Sequence, residues 1–164
     1  MEQTMTLNDQ LVELGTLEDN EDTAIQRKGA NLVDAFFMSF TASDVDVPTT
    51  AMVLHYLTDI QVRDYGLGIL DKYNNVEAAL KYLVDQAPTD TPYINAPASI
   101  LAQLYYEQGN TADAFLTLSN AQPDYSLARL LDRVFRVNWN PASFAKMREE
   151  LHPQVVKGIF GEDN

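Results

Sequence analysis

The chain of 164 residues contains no cysteine and only two histidines. The absence of cysteine excludes disulfide cross-links, cysteine nucleophiles and cysteine-based metal sites. The two histidines, His55 and His152, lie far apart in the sequence, and neither is accompanied by a nucleophile and an orienting acid in a catalytic pattern. The acidic segments also lack the glycine and the terminal glutamate of a calcium loop. We therefore expect a protein that is not an enzyme and that uses no cofactor or metal.

Long apolar runs and a basic start are also missing. The longest apolar stretch, at 35–38, is only a few residues long, so we expect no membrane-spanning segment and no membrane partner. No basic residue precedes Arg27, which makes the start unlike a signal peptide. We expect a cytoplasmic protein, in the host cytoplasm if a phage encodes it.

Basic residues are scarce, with 11 lysines and arginines against 24 acids and a formal net charge of −13. Residues 1–90 hold 16 acids and 5 bases, a balance of −11, whereas residues 91–164 hold 8 acids and 6 bases, a balance of −2. Nucleic-acid affinity depends mainly on basic contacts to phosphate, so direct binding of DNA or RNA is excluded. The acidic surface either keeps the protein soluble, or it mimics nucleic acid and so binds a basic host protein.

Apolar residues recur at spacings of three, four and seven, which predicts amphipathic helices. Proline, glycine and capping residues divide the chain into an irregular all-α array or bundle of about seven or eight helices. A first amphipathic turn ends at Gly15. One helix is then expected at about 22–40, and another begins at about 48. Further helices are expected at about 60–73, 76–86, 97–108, 110–121, 124–137 and 141–151. Only 41–47 and 154–156 are weak strand candidates. We divide the chain into an acidic N-terminal region, 1–45, with one or two helices, and a helical domain, 46–164.

Residues 97–121 carry the pattern of a tetratricopeptide helix hairpin, in which small residues let two helices cross closely around a glycine turn. The residues that fit this pattern are Leu101, Ala102, Tyr105, Gly109, Ala114, Leu118 and Ala121. One hairpin cannot bury its own apolar faces, so neighbouring helices must stack on it. Two interpretations stay open: a short helical array, or an irregular bundle that contains one such hairpin.

Four motifs between 55 and 145 occur together: Leu57-x-Asp59-x-x-Val62-Arg63-Asp64, Gly109-Asn110, Asn140-Pro141 and, the most specific of them, AQPDYSLARLL at 121–131. With these motifs the chain resembles the C-terminal half of an uncharacterised actinobacterial family, a domain of unknown function with members in actinobacterial phages. This resemblance implies helical architecture and an actinobacterial or phage source, but no chemistry. Residues 1–50 do not match the longer N-terminal region of the family, so the chain resembles a truncated relative.

Arg129, Arg133 and Arg136 follow one another at spacings of four and three, which places them on one face of the helix at 124–137. This face either is solvated and paired with acids such as Asp132 and Asp113, or it docks an acidic segment of a partner. Arginine and tyrosine are the residue types that most often anchor interfaces. We therefore name Arg129, Arg133, Arg136, Tyr106 and Tyr125 as the predicted partner-binding residues.

Two further motifs have competing interpretations. Phe36 and Phe37 are adjacent on a helix and cannot both point to one side. They indicate either core packing or a face for self-association. In the second case the protein forms a homodimer. Gly66 and Gly68 are only a fragment of a phosphate-binding fingerprint and lie inside a helical pattern, so close helix packing explains them better.

Taken together, the helix pair and the lack of catalytic groups favour a non-enzymatic protein–protein interaction module whose partner is unknown. The alternative is an acidic phage effector that imitates nucleic acid and occupies a host DNA- or RNA-binding protein.

Overall fold

The computed structural model describes residues 5–161, and within that range the chain is all-α and forms no strand. The nine α-helices of residues 5–161 are close in number to the seven or eight expected. The additional one is α1, whose eight residues the sequence marks only as an amphipathic turn. The helices are α1 (Leu7–Leu14), α2 (Thr23–Ser39), α3 (Val47–Tyr56), α4 (Ile60–Gly68), α5 (Val76–Gln86), α6 (Pro92–Glu107), α7 (Thr111–Leu118), α8 (Ser126–Arg136) and α9 (Pro141–Phe160). Residues 1–4 and 162–164 of the two predicted regions lie outside the described residues.

Local capping sets most of the helix starts. A carboxylate or amide oxygen that precedes the helix accepts hydrogen bonds from backbone N–H groups of its first turn, which would otherwise be unsatisfied. The residues that cap in this way include Asp22 for α2, Asp46 for α3, Asp59 for α4 and Asn140 for α9. Because these signals are local, the predicted starts of these four helices agree with the structure.

Helix α6 lies at the centre of the fold, and twelve of its residues are buried. It forms a hairpin with α7 through a turn in which Gly109 has a φ of 82° and the Asn110 amide donates to the carbonyl of Tyr105 at 2.9 Å. Ala102 and Ala114 are both completely buried. The small side chains therefore lie inside the closely packed region, as the hairpin pattern predicts.

A continuous hydrophobic cluster extends from Leu11 on α1 to Ile159 on α9. Helix α1 packs on α3, and α9 packs on α4, α2 and α6. Phe36 and Phe37 are 6% and 0% exposed, and the Phe36 ring contacts Tyr82 of α5 with the centroids 6.5 Å apart. Both phenylalanines thus belong to the core, and this cluster offers no open face for self-association.

Two prolines do not mark helix boundaries as the sequence suggests: Pro97 is predicted to open a helix and Pro153 to end one. Helix α6 begins at Pro92 instead of 97 and continues through Pro97, and α9 continues through Pro153 to Phe160. The predicted end at 151 and the strand at 154–156 are therefore wrong. An internal proline costs a helix about 3 kcal/mol or more. Burial of twelve of the sixteen residues of α6, and of Phe144 and Ile159 on α9, offsets this cost.

The Asn95 side chain, inside α6, is buried. Its oxygen accepts from the backbone N–H of Gln122 at 2.7 Å, so it ties the start of α6 to the α7–α8 loop. Two other local predictions are corrected. The strand candidate at 41–47 contains a short 3₁₀ helix, Ala42–Asp44, followed by the start of α3. Helix α4 ends at Gly68 and does not reach 73.

Gly68 is needed where α4 and α9 meet. A Cβ atom at this position would lie 1.8 Å from Nδ1 and 2.4 Å from Cγ of His152, distances at which the ring must move. The Gly66–Gly68 fragment thus reflects close helix packing, as the sequence interpretation holds. We expect Gly68→Ala to lower the free energy of unfolding by about 1–3 kcal/mol through overpacking, although alanine is the better helix former.

The matched control for this prediction is the double variant Gly68→Ala/His152→Ala, in which the steric conflict is absent. Chemical denaturation should show that His152→Ala removes most of the effect of Gly68→Ala. If Gly68→Ala lowers the free energy of unfolding equally in the wild type and in the His152→Ala variant, contact with the imidazole is not the cause.

Candidate functional site

The arginines of α8 are placed by the amphipathic pattern of the helix. Its apolar side chains at 127, 131, 134 and 135 are buried against the rest of the fold. Arg129, Arg133 and Arg136 occupy the opposite side and are exposed. The spacing of four and three therefore gives the shared face that the sequence predicts.

This face forms one wall of a groove between α7 and α8. The groove has a volume of about 510 Å³, within the range of ligand pockets, and all three arginines line it together with Asp132, Phe115 and Pro123. We call it the arginine groove. Phe115 and Leu118 contribute the α7 side, so the groove combines an apolar wall with a cationic one.

Arg136 is the arginine whose charge the protein itself balances. Its Nε lies 2.8 Å from a carboxylate oxygen of Asp132, one helical turn earlier. Its guanidinium also lies over the ring of Phe115, 5.7 Å from the centroid, at cation–π distance. Asp113, the other acid considered from the sequence, accepts from Asn110 at 2.6 Å. Of the two predicted pairings, the one with Asp132 is confirmed.

Arg129 and Arg133 differ from Arg136. Among residues 5–161, neither guanidinium has an ion pair or a side-chain hydrogen bond. Like charges four residues apart on a helix destabilise it by about 0.2–0.5 kcal/mol. The groove thus holds two uncompensated positive charges side by side in a chain whose net charge is −13.

The two predicted tyrosines do not line this groove. Tyr106 is completely buried; its ring stacks on Phe135 with the centroids 4.5 Å apart, and its hydroxyl donates to the carbonyl of Trp139. In this position Tyr106 cannot contact a partner and instead supports α8 from inside.

Tyr125 precedes α8 and turns towards α4. Its hydroxyl accepts from Nη1 of Arg63 at 3.3 Å. Burial raises the pKa of this hydroxyl, although the positive charge of Arg63 acts in the opposite direction. The structure therefore brings three of the five predicted residues together and places both tyrosines elsewhere.

The sequence does not reveal the aromatic support behind the groove. Phe115 packs edge-on against Phe135, 5.5 Å between centroids. Tyr106 continues the series to Phe144, at 6.1 Å, and Phe144 contacts the half-exposed Trp139 at 5.8 Å. These aromatic contacts hold α6, α7, α8 and the start of α9 together, which fixes the geometry of the groove wall.

A second polar cluster joins α2 to α4 and its following turn. The Asp34 carboxylate accepts from Tyr65 at 2.6 Å, from Lys72 at 3.0 Å and also from Tyr73. Burial opposes ionisation of Asp34, but these three hydrogen bonds together lower the pKa of its carboxyl below the ordinary value. Because the cluster satisfies its own groups, we assign it to stability.

The acidic loop at 18–22 lies at a different part of the surface. Glu18, Asp19 and Glu21 are exposed, whereas the Asn20 amide donates to the buried Asp59 at 2.8 Å. Within residues 5–161, no three histidine, aspartate or glutamate side chains are arranged to hold a metal ion. In the same range, no helix combines the length and the apolarity required to cross a bilayer.

Comparison with known proteins gives a family but no activity. A family described as a domain of unknown function, DUF4192, matches residues 2–142. The chain belongs to the DUF4192 family. No curated protein and no solved structure matches the chain.

The family match includes α1 to α8, and therefore the whole arginine groove. It begins at residue 2, so the expectation that residues 1–50 have no counterpart in the family is wrong. The match ends at residue 142, near the start of α9, so most of α9 lies outside the matched residues of this DUF4192 protein.

Proposed function

We propose that this DUF4192 protein is a non-enzymatic interaction module that binds an acidic segment of a partner protein in the arginine groove. The observation that supports this most strongly is the pair of exposed, unpaired guanidiniums of Arg129 and Arg133. Arginine is among the residue types most enriched at the energetic centres of interfaces.

Charge complementarity selects the kind of partner. A carboxylate-rich segment in the groove would relieve the repulsion between Arg129 and Arg133, and its charges would lie well within a Debye length of both, which is about 10 Å at 0.1 M salt. Asp132, the acid that lines the groove, is already paired with Arg136. The apolar wall at Phe115 and Leu118 favours a segment that carries an aromatic or aliphatic side chain among its acids.

The α6–α7 hairpin gives this groove a rigid side. We interpret it as tetratricopeptide-like because its small residues and its glycine turn follow the spacing of that repeat. Stacked helix pairs present grooves of this kind as binding surfaces. The proposal needs only the hairpin and α8, so it does not depend on a longer repeat array.

The experiment that tests the proposal uses a short fluorescent peptide rich in glutamate with one central phenylalanine. We expect saturable binding measured by fluorescence anisotropy. The double variant Arg129→Glu/Arg133→Glu should weaken binding at least about tenfold, which corresponds to about 1.4 kcal/mol. The affinity of the wild type should also fall as salt is added.

The matched control is Lys28→Glu/Lys81→Glu, which makes the same change in net charge at exposed positions on α2 and α5. It should leave the affinity within about twofold, because these lysines lie outside the groove. An equal loss for both double variants would mean that net charge alone governs binding, and the groove would then be removed from the proposal.

The second candidate is an acidic effector that occupies a nucleic-acid-binding protein. Its support is the balance of −11 over residues 1–90 together with the exposed acids of the loop at 18–22. We also propose cytoplasmic action and an actinobacterial or phage source, on the basis of the resemblance at 121–131. A partner that binds this loop, and that needs neither Arg129 nor Arg133, would favour the second candidate.

A further inference from the structure

A second concave surface lies between α4, α8 and α9. This cleft has a volume of about 390 Å³ and lies on the side of α8 opposite the arginine groove. Arg63 and Arg148 line the cleft, but Asp64 and Glu107 neutralise both inside the chain, so the surface left without a partner is apolar. The apolar lining includes Leu67, Leu127, Leu131, Phe144 and Val155.

Three large apolar side chains at the rim of this cleft are exposed to solvent. Leu130 on α8 is 46% exposed, and Met147 and Leu151 on α9 are 36% and 56% exposed. All three line the cleft. Large apolar side chains that are exposed together, rather than singly, mark a surface that another molecule covers. We call this surface, which Leu130, Met147 and Leu151 define, the α8–α9 face.

Opposite charges flank the α8–α9 face on its two sides. Arg133 follows Leu130 by three residues, and Glu150 follows Met147 by three residues, a spacing that makes each pair neighbours on its helix. Arg133 points away from the cleft, since it lines the arginine groove, and Glu150 is exposed and does not line the cleft. Among residues 5–161, neither side chain has an ion pair. The order across the surface is therefore a base, two apolar rims and an acid.

This order is complementary to itself under a two-fold rotation. A two-fold axis through the cleft brings the same face of two copies together and reverses its order. The apolar side chains of the two copies then cover one another, and Arg133 of each copy meets Glu150 of the other. Exposed ion pairs add little affinity, so burial of the apolar side chains drives the association, and the charges fix its register.

The charge distribution also favours this face for self-association. Two copies that each carry a net charge of −13 repel one another. Residues 124–160, which contain α8 and α9, hold 6 bases and 4 acids, whereas residues 1–90 carry the balance of −11. Contact through α8 and α9 therefore joins the two copies in the region where this repulsion is weakest.

We propose that a second copy of this chain occupies the α8–α9 face, in a two-fold symmetric homodimer. Met147 and Leu151 of each copy cover the cleft of the other, and two Arg133–Glu150 ion pairs close the edges. Arg129 and the apolar wall at Phe115 line the groove on the other side of α8, so the dimer leaves them open to an acidic segment.

Sedimentation equilibrium of the full chain measures this association. We expect the wild type to show a concentration-dependent monomer–dimer equilibrium. Leu151→Asp should raise the dissociation constant at least about tenfold, because the symmetry places the new charge in the apolar contact twice. The control is Leu116→Asp on α7, which makes the same charge change at a leucine that is 70% exposed and lines neither surface. It should change the dissociation constant by less than about twofold, and circular dichroism checks that both variants are folded.

A charge reversal tests the register of the two copies. Arg133→Glu and Glu150→Arg should each weaken the dimer at least about tenfold, because each variant alone places like charges opposite one another at both edges. An equimolar mixture of the two variants should form a heterodimer, since every edge contact then joins a base to an acid. Recovery of the dimer on mixing is a result that a loss of folding in either variant would not give.

The dimer and the arginine groove are tested separately. Leu151→Asp should leave the anisotropy titration with the glutamate-rich peptide unchanged, so either proposal can fail without the other. A wild type that stays monomeric, equal effects of Leu151→Asp and Leu116→Asp, or a mixture of Arg133→Glu and Glu150→Arg that stays monomeric would overturn the dimer.

Discussion

Replacing Glu107 by alanine should lower the free energy of unfolding by about 3–5 kcal/mol, the usual cost of leaving one partner of a buried ion pair without the other. The side chains of Arg148 and Glu107 are 6% and 8% exposed, and Nε and Nη2 of Arg148 both lie 2.8 Å from oxygens of Glu107. Asp71, at 3.7 Å and largely exposed, is a second acid within ion-pair distance of Arg148. It cannot replace the two bonds of Glu107.

Loss of the Arg148–Glu107 ion pair should destabilise α9 first, because this pair ties α9 to α6. Urea denaturation of Glu107→Ala gives the magnitude, and Glu149→Ala, an exposed acid next to Arg148 in sequence, is the control with a much smaller effect. The double variant Glu107→Leu/Arg148→Met should recover most of the stability, since it leaves no buried charge. A loss below about 1 kcal/mol for Glu107→Ala would show that Arg148 is satisfied without it.

Asp59→Ala should lower the free energy of unfolding by about 3 kcal/mol, because several groups lose their acceptor together. The Asp59 side chain is completely buried. One oxygen caps α4 by accepting from the amides of Gln61 and Val62 at 2.8 and 3.1 Å, and the other accepts from the side chains of Asn20 and Gln26. Losing the cap costs about 1 kcal/mol, and each donor left buried adds about 1–3 kcal/mol.

Asp46→Ala is the matched comparison for Asp59→Ala. Asp46 also caps a helix, accepting from the Thr49 amide at 2.9 Å, but it is exposed, so water can replace it. Thermal unfolding should show a clearly smaller decrease in Tm for Asp46→Ala. Equal decreases would contradict the view that Asp59 does more than cap, and that it also joins the acidic loop and α2 to α4.

Features that depend on local signals could be predicted from the sequence. Asp22 and Asp59 mark helix starts because a cap depends only on the residues that follow it. The shared face of Arg129, Arg133 and Arg136 depends only on helical spacing. The all-α class and the glycine turn at 109 could be predicted for the same reason.

Features that depend on tertiary burial could not be predicted in this way. Pro97 and Pro153 resemble helix boundaries, but the packing of α6 and α9 carries both helices through them. Tyr106 has the residue type of an interface anchor, yet the fold places it in the core. A cleft between α4, α8 and α9 is lined by residues as distant in sequence as Arg63 and Val155, and no spacing rule connects them.

Binding of an acidic partner segment through Arg129 and Arg133 can be mapped residue by residue with NMR. The isotopically labelled DUF4192 protein is titrated with the glutamate-rich peptide, and the amide and arginine Nε–H signals are followed. We expect the largest shifts on the side-chain signals of Arg129 and Arg133 and on the amides of α7 and α8. Shifts concentrated at 18–22, or spread evenly over all helices, would show that the peptide does not bind in the arginine groove.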